Sequence, residues 1–505
     1  MAYLKDILNG IAFRTEDNIS NIRIDRITDD SRVVDEGDLF IAVSGYSVDG
    51  HKFIKEAISK GAKVILSGKE LLLPSGIVKV FIDDMRKAIP VIAGNFYNHP
   101  SDVLKLTGIT GTNGKTTITY LIENILKGIG KETGVIGTVD YRFKDRKICA
   151  KNTTPGALEL TALLAEMVKE GTEHVIMEVS SHSLDQHRVG GLSFDIAIFT
   201  NITSEHMDYH KTMMNYFNAK AKLFDRLKDD GIAILNSDDR RVARLKRAIR
   251  KKVITYGIVN NADVMARNLK VSQEGSSFLA ATPNGSVKIA TRLIGFHNIS
   301  NILAGIAASV AQGIDLRKAK DGIESLTLIP GRLEEIDLGQ PFKVFVDYAH
   351  TEDALYNTLS TLKKIAKRNI ITVFGCGGDR DRKKRPLMGR AACRFSDKAI
   401  MTSDNPRFED PYQIIKEIED GVRGEFSNYV IIEDRRDAIE KAIAIALKDD
   451  IVVIAGKGHE RCQIIEDKVI PFDDREVVRS ILEMKGYAGQ RDPKDNAGKV
   501  SIGQS

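Results

Sequence analysis

The stretch VLKLTGITGTNGKTTITYLIENILKGIG (103–130) limits the fold more than any other, because an apolar run of strand type passes through a glycine-rich turn into an amphipathic helix. The same rhythm returns in "HVIMEVS" (174–180), "FDIAIFTNI" (194–202) and "GIAILNSDD" (231–239). It starts again in "FKVFVDYAH" (342–350), "NIITVFGCGG" (369–378), "DKAIMTSDN" (397–405), "NYVIIED" (428–434) and "DIVVIAGKG" (450–458). Parallel neighbours need a crossover, usually a helix, so this alternation predicts an α/β chain with mostly parallel sheets. Ligand loops of such sheets gather at the carboxyl ends of the strands. A chain of 505 residues holds about three domains. Residues 1–100 mix short strands ("GDLFIAVSG", "AKVILSG", "IVKVFID") with a helix around "KFIKEAISKGA". Residues 101–331 carry the glycine-rich turn and end at a hinge pair, Pro330-Gly331; residues 332–490 repeat the alternation, and 491–505 form a polar tail.

Charge and cysteine usage narrow the function classes. The net charge of +5 is spread along the chain, and the basic run "KRAIRKK" (246–252) has no interleaved aromatics. It fits a solvated helix face and not a nucleic-acid surface. Cys149, Cys376, Cys393 and Cys462 form no CxxC pair, so neither a zinc site nor a disulfide framework is expected and a reducing compartment fits. Charges break every apolar run of "MAYLKDILNGIAFRTEDN", and no stretch reaches the ~18 apolar residues of a membrane span. A cytoplasmic protein without membrane insertion is expected.

The turn "GITGTNGKTT" (108–117) joins strand to helix where backbone N–H groups can cradle phosphates. The strict P-loop string wants glycine where Ile109 stands, so this is a variant; Lys115 would reach terminal phosphates and Thr116 would hold Mg²⁺. "MEVSSHSLDQHRV" (177–189) places Glu178 at a strand end, where taken alone it reads first as a surface acid, with a second, hard-oxygen metal ligand as the alternative. "FTNITSEHMDYHKT" (199–212) adds His206 and His210 at another strand end. Lys220 in "FNAKAKLF" reads from spacing alone as a snorkelling surface lysine. In the last block "DYAH" (347–350), "GGDRDRKKRP" (377–386), "DNPR" (404–407) and "GKGHE" (456–460) put charges on one rim.

In order and spacing, "GITGTNGKTT", "NTTPG", "EVSSH", "TNITSEHMDYH", "GFHNISN", "PGRLE", "DYAHT", "GCGGDRDRKKRPLMG", "DNPR" and "AGKGHE" resemble the bacterial Mur ligases, within them the branch that adds diaminopimelate. The likeness runs from Asp30 to Glu476. It implies an N-terminal uridine-nucleotide domain, a central P-loop ATPase domain and a C-terminal Rossmann-like domain that brings in the amino acid. The implied reaction uses ATP as co-substrate and Mg²⁺. ATP phosphorylates the D-Glu γ-carboxylate of UDP-N-acetylmuramoyl-L-alanyl-D-glutamate, and an amine of meso-2,6-diaminopimelate displaces phosphate. A monomer is expected.

The resemblance also implies residue roles. Gly111, Thr112, Asn113, Gly114, Lys115, Thr116 and Thr117 would hold the ATP phosphates, Asn298 and Asn301 would approach the adenine, and Arg332 and Asp347 would hold ribose and phosphates. Thr116, Glu178 and His206 would serve the metals, together with Lys220 carbamylated by CO₂; Lys115, Lys220 and His206 form the catalytic set. Asn152, Thr153, Thr154, Ser180, Gln186 and Arg188 would line the muramoyl-dipeptide channel, with Ser31 in the uridine domain. Diaminopimelate carries a distal carboxylate that lysine lacks, and a planar carboxylate suits the guanidinium fork. Arg407 and Arg380 would clamp it on a loop set by Asn405 and Pro406, while Asp404 and Glu460 receive the distal ammonium beside Gly456. Glu352 stands where the family commonly has Pro. The competing readings are a lysine-adding Mur ligase, a folylpolyglutamate-type synthase that shares the ATP loop, and a nucleotide-controlled binding protein.

Overall fold

The computed structural model describes residues 1–45 and 48–487; the expected tail at 491–505 lies outside the described residues. Three parallel-rich sheets follow one another along the chain. The first has four parallel strands, Ile27–Thr28, Leu39–Ala42, Val64–Ser67 and Val78–Phe81. Its side chains alternate between two cores: Leu39, Ile41, Val64 and Leu66 pack on one face, and Phe40, Ala42 and Ile65 on the other. Burial on both faces is why these strands read as continuous apolar runs.

The central sheet has eleven strands. Its parallel part runs in space Thr133–Ile136, His174–Glu178, Lys105–Thr110, Phe194–Phe199, Leu227–Asn236, Lys252–Gly257. Register aligns the strand ends, since Glu178 lies opposite Ile109 and Phe199 opposite Thr110. The chain segments that follow these residues therefore meet on one rim. Val264–Ser272 adds one more parallel strand beside Lys252–Gly257. Beyond the sequence expectation, antiparallel strands extend both edges, Asp140–Phe143 with Arg146–Cys149 on one side and Gly275–Thr282 with Gly285–Thr291 on the other. The Asn284-Gly285 pair, with Gly285 at φ 118°, is the local signal for the last of these hairpins.

The third sheet orders Glu334–Glu335, Lys343–Asp347, Ile451–Ala455, Ile370–Phe374, Lys398–Met401 and Tyr429–Ile431, parallel except for the first. Asp347 lies opposite Ala455 and Phe374 opposite Met401, which brings the 375–378, 402–407 and 456–460 loops to one rim. Helix Glu352–Ile365 begins at Thr351, whose side chain accepts from Ala354 N, with Glu352 and Asp353 in its first turn and Lys363 and Lys364 in its last. Acids at this end favour the helix dipole, so Glu352 starts the helix as well as Pro would.

Arg435 is fully buried against Asp474, with Nε and Nη2 donating to the carboxylate at 2.8 and 2.7 Å and Nη2 also to Ala455 O at 3.0 Å. This pair ties helix Asp474–Met484 to the end of strand Ile451–Ala455. Arg435→Met will leave Asp474 buried and unpaired, at a cost of about 3–5 kcal/mol, read as a drop in the chain's melting temperature; an unchanged melting curve would contradict the accounting. Among the described residues no helix is long and apolar enough to cross a membrane.

Candidate active site

The glycine-rich loop leaves strand Lys105–Thr110 and enters helix Lys115–Gly128. Gly111, at φ 143°, passes so close to Thr200 that a Cβ would sit 1.8 Å from its Oγ1, and Gly114, at φ 90°, would meet Asn301 Oδ1 at 2.3 Å. Neither position admits a side chain. Asn113 is braced from two sides: its N donates to Asn201 Oδ1 at 2.9 Å, and its Nδ2 to Asp353 Oδ2 of the third sheet's first helix at 2.8 Å. Lys115 Nζ donates to Gly111 O and Thr112 O at 2.9 and 2.8 Å.

Lys220 does not snorkel. Helix Met213–Ala221 turns Tyr216 and Lys220, four residues apart, toward this loop. Lys220 is 2% exposed, its Nζ lies 4.6 Å above the Tyr216 ring, and it donates to the same Gly111 O at 2.8 Å. Two ammonium groups thus converge on one carbonyl. Burial pushes both amines down in pKa, Lys220 far below its ordinary value, and the neighbouring Lys115 adds to that shift.

Glu178 closes the loop from the adjacent strand. Its carboxylate accepts from Thr116 Oγ1 at 3.0 Å, Thr138 N at 2.9 Å and Thr138 Oγ1 at 3.0 Å. Arg332, from the start of the third block, donates through Nη2 to Thr116 Oγ1 at 3.1 Å. His206 sits at φ 57° with its ring 4.7 Å from that of His182, and its Nε2 is 3.7 Å from Glu205 Oε2. Burial pushes the His206 pKa down to about 4, so the ring is neutral and free to coordinate at neutral pH. Among the described residues no three His, Cys, Asp or Glu side chains are grouped to hold a metal. The Thr116 hydroxyl and Glu178 carboxylate nevertheless form a hard-oxygen pair at the loop, the donor type Mg²⁺ takes.

The residues expected to line a dipeptide channel adjoin Glu178. Thr154 Oγ1 donates to Glu178 O at 2.9 Å and accepts from Ser180 N at 3.1 Å. Arg188 donates to Thr154 O at 2.9 Å and to Gln186 Oε1 at 2.8 Å, and the Thr153 and Thr138 hydroxyls are 3.1 Å apart. Asn152 bonds Tyr141 OH through its backbone. Ser31 lies in the first module, where its hydroxyl donates to Glu56 at 2.8 Å. The neighbouring Asp30 is held below the usual carboxylate range, chiefly by Arg32 and also by Lys151, which precedes the 152–154 segment.

Asn298 and Asn301 lie on the first turns of helix Phe296–Ala311, joined by a 3.3 Å hydrogen bond. Beside them opens a cavity of about 440 Å³ lined by Phe296, His297, Tyr356, Lys364 and Phe395, among others. Asp347 spends its oxygens on Leu333 N (2.7 Å), Ala349 N (3.0 Å) and the Thr358 hydroxyl (3.3 Å). It braces the chain around Arg332.

The loops on the rim of the third sheet form a second polar cluster. Gly378 packs under Pro406 so tightly that a Cβ would lie 1.8 Å from its carbonyl oxygen, and Gly378 N donates to Asn405 O at 2.9 Å. Arg385, fully buried on helix Lys384–Phe395, donates to Gly377 O at 3.3 Å and bonds Glu409 and, on helix Pro411–Glu419, Glu417 at 2.7–2.9 Å; Arg385 foremost holds the Glu409 pKa down to about 2. Arg407 adopts φ 53°, a strained value for a non-glycine residue. The hairpin Cys462–Ile465/Lys468–Pro471 holds it there, since Arg407 N donates to Ile464 O at 3.0 Å and Glu466 N to Arg407 O at 2.7 Å. Arg407 Nη1 donates to Gly378 O at 2.6 Å and Arg380 Nη1 to Asp379 O at 2.9 Å. Burial and then the neighbouring Arg380 push the Arg407 pKa down. Two guanidinium groups therefore face each other's charge with backbone carbonyls as their hydrogen-bond acceptors. Asp404 and Glu460 stand close by: Asn405 Nδ2 donates to Glu460 Oε2 at 2.9 Å, and Gly456 lies against Asp404 Oδ2.

The chain is 45% identical over 485 residues to the UDP-N-acetylmuramoyl-L-alanyl-D-glutamate--2,6-diaminopimelate ligase of Clostridium tetani (strain Massachusetts / E88), covering 95% of this chain and 99% of that protein. The chain belongs to the Mur ligase family. It matches the family's catalytic domain over residues 23–97, its middle domain over 109–309 and its glutamate ligase domain over 331–458. The protein of the same name from Geobacillus thermodenitrificans (strain NG80-2) is 46% identical over 460 residues, covering 90% of this chain and 94% of its own. A solved structure titled UDP-N-acetylmuramoyl-L-alanyl-D-glutamate--2,6-diaminopimelate ligase superposes with a TM-score of 0.69 at 33% identity, covering 96% of this chain and all of that one.

Several groups of this Mur ligase that shape the site carried no sequence signal of their own. Thr138 supplies two of the donors to Glu178, yet it lies in an ordinary loop. Glu205 reaches both His206 and His350 of the third block; its place between Ser204 and His206 was the available hint. Lys457 stands inside "GKGHE", where the motif drew attention to its neighbours.

Proposed function

We propose that this Mur ligase adds meso-2,6-diaminopimelate to the D-Glu γ-carboxylate of UDP-N-acetylmuramoyl-L-alanyl-D-glutamate in the cytoplasm, driven by ATP. The observation that carries the reading is the Arg380–Arg407 pair, two adjacent cations without an ion-pair partner among the described residues, set beside the acids Asp404 and Glu460. That arrangement complements a ligand end bearing one carboxylate and one ammonium. A carboxylate is a poor electrophile, so its oxygen first takes the γ-phosphoryl group of ATP, releasing ADP. The amine then attacks the acyl carbon and loses a proton, and phosphate leaves from the tetrahedral intermediate.

Lys115 and the backbone of 111–117 would stabilise charge on the transferred phosphoryl group, work that is mainly positioning and electrostatics. Thr116, Glu178, His206 and a carbamylated Lys220 would hold Mg²⁺, which would supply neutralisation of phosphate charge. The buried Lys220 amine, sharing Gly111 O with Lys115, supports carbamylation: CO₂ would add to the neutral amine with loss of a proton, and the anion formed would attract Lys115. The cavity beside Asn298 supports placing the adenine between Phe296 and Tyr356. Thr153, Thr154, Ser180, Gln186 and Arg188 would line the path of the dipeptide toward Glu178, with Ser31 at the uridine end. Closure of the third module about Pro330-Gly331 would complete the site.

ADP release measured with the uridine-linked dipeptide and a panel of amines tests the reading. Diaminopimelate should support turnover with lysine worse by roughly 10⁴-fold and glutamate inactive. Preference for lysine would move the chain to the lysine-adding branch, preference for glutamate to a folylpolyglutamate-type activity, and phosphate release indifferent to the amine would leave a nucleotide switch.

A further inference from the structure

Lys457 has no part in the chemistry described above, yet its side chain is fully buried. A buried lysine needs its charge matched. Its Nζ donates to Asn405 Oδ1 at 3.0 Å, Glu460 Oε2 at 3.2 Å and Cys462 O at 2.6 Å, with Asp404 Oδ1 4.0 Å away. One ammonium group therefore links the "DNPR" loop, the "GKGHE" loop and the hairpin that follows.

The bonds settle the orientation of two side chains. Asn405 Oδ1 accepts from Lys457 Nζ and from Ile464 N at 3.0 Å, which leaves Nδ2 to donate to Glu460 Oε2 at 2.9 Å. Glu460 Oε2 thus takes two donors, and no donor among the described residues reaches Oε1. Asp404, its side chain 7% exposed, has Lys457 as its nearest ion-pair partner. Two carboxylates and one ammonium leave this end of the cluster with a single net negative charge.

We propose that Lys457 is a positioning residue for the incoming amino acid. By locking Asn405 and occupying one oxygen of Glu460, it presents Asp404 and the free oxygen of Glu460 to one ammonium group of the ligand, while Arg380 and Arg407 take the carboxylate. This rests on the diaminopimelate reading. Without the ammonium, Asn405 loses the partner that orients its amide and the two acids repel each other across the cluster. Arginine keeps the charge, but its planar fork cannot aim three donors from one point.

Steady-state ADP release by the full chain, with diaminopimelate and ATP varied separately, tests the role. Lys457→Met should raise the KM for diaminopimelate by about 10–100-fold, while kcat and the KM for ATP stay within about threefold. Lys457→Arg, which keeps the buried charge and with it the fold, should raise the same KM by about fivefold or more. An unchanged KM for diaminopimelate in either folded variant, or a parallel loss of affinity for ATP, overturns the proposal. Wild-type turnover with diaminopimelate is the control: its absence removes the amino-acid assignment itself.

Discussion

Arg407→Ala will lower kcat/KM for meso-diaminopimelate by about 10³–10⁴-fold and leave the KM for ATP within about threefold. The guanidinium is held in place before any ligand arrives: Arg407 sits at φ 53°, pinned by Ile464 O and by the N–H of Glu466, with Nη1 on Gly378 O. Because the hairpin and the Gly378 contact, and not the ligand, impose that geometry, little reorganisation is spent on binding. Removing the fork leaves a distal carboxylate desolvated and without its donors. The ATP loop belongs to another sheet, so its affinity is spared. Lysine, which has no such carboxylate, will lose far less, and the selectivity between the two amines will collapse. Arg407→Lys will restore charge without the bidentate geometry and will recover only part of the rate. Diaminopimelate turnover equal to wild type would refute the clamp.

Lys220→Ala will reduce kcat by about 10²–10³-fold, and short carboxylates such as acetate will restore part of it. The prediction rests on the convergence of Lys115 and Lys220 on Gly111 O. Two buried cations there are unfavourable; an anion in place of one of them is not. Carbamylation would provide that anion and hard oxygen donors of the type Mg²⁺ takes. An alanine leaves room for a carboxylate from solution to stand in the same place. The folded state itself should survive, because removing a desolvated amine relieves a cost, and a wild-type melting temperature is the check. A deep loss of rate without any rescue would count against the carbamate, and full activity would remove Lys220 from the chemistry.

The alternation of apolar runs and amphipathic helices determined the parallel cores of the three modules from sequence alone. Parallel neighbours had to be reached through a crossover, and central strands such as Leu39–Ala42 and Ile370–Phe374 were buried on both faces. The strand–loop–helix order at 103–130 likewise announced a phosphate-type turn, since Gly111 and Gly114 stand where only glycine fits. The antiparallel edges were harder to read. Their strands alternate weakly, and apart from Asn284-Gly285 the turns carry little that distinguishes a hairpin from a surface loop.

Local periodicity tells which residues share a face of one element, never which faces meet. That is why the spacing around Lys220 suggested a solvated lysine: its burial depends on a carbonyl 109 residues away. Lys457 gathers oxygens 3 to 52 residues distant, and Arg385 ties its helix to a loop and to a second helix through acids 24 and 32 residues on. The sequence by itself determined the sheets, the rims on which loops would gather and the residue types available there. Only the tertiary structure decided which charges stand together without a counter-ion, because desolvation and Coulomb interaction act through space and leave no trace in the order of the chain.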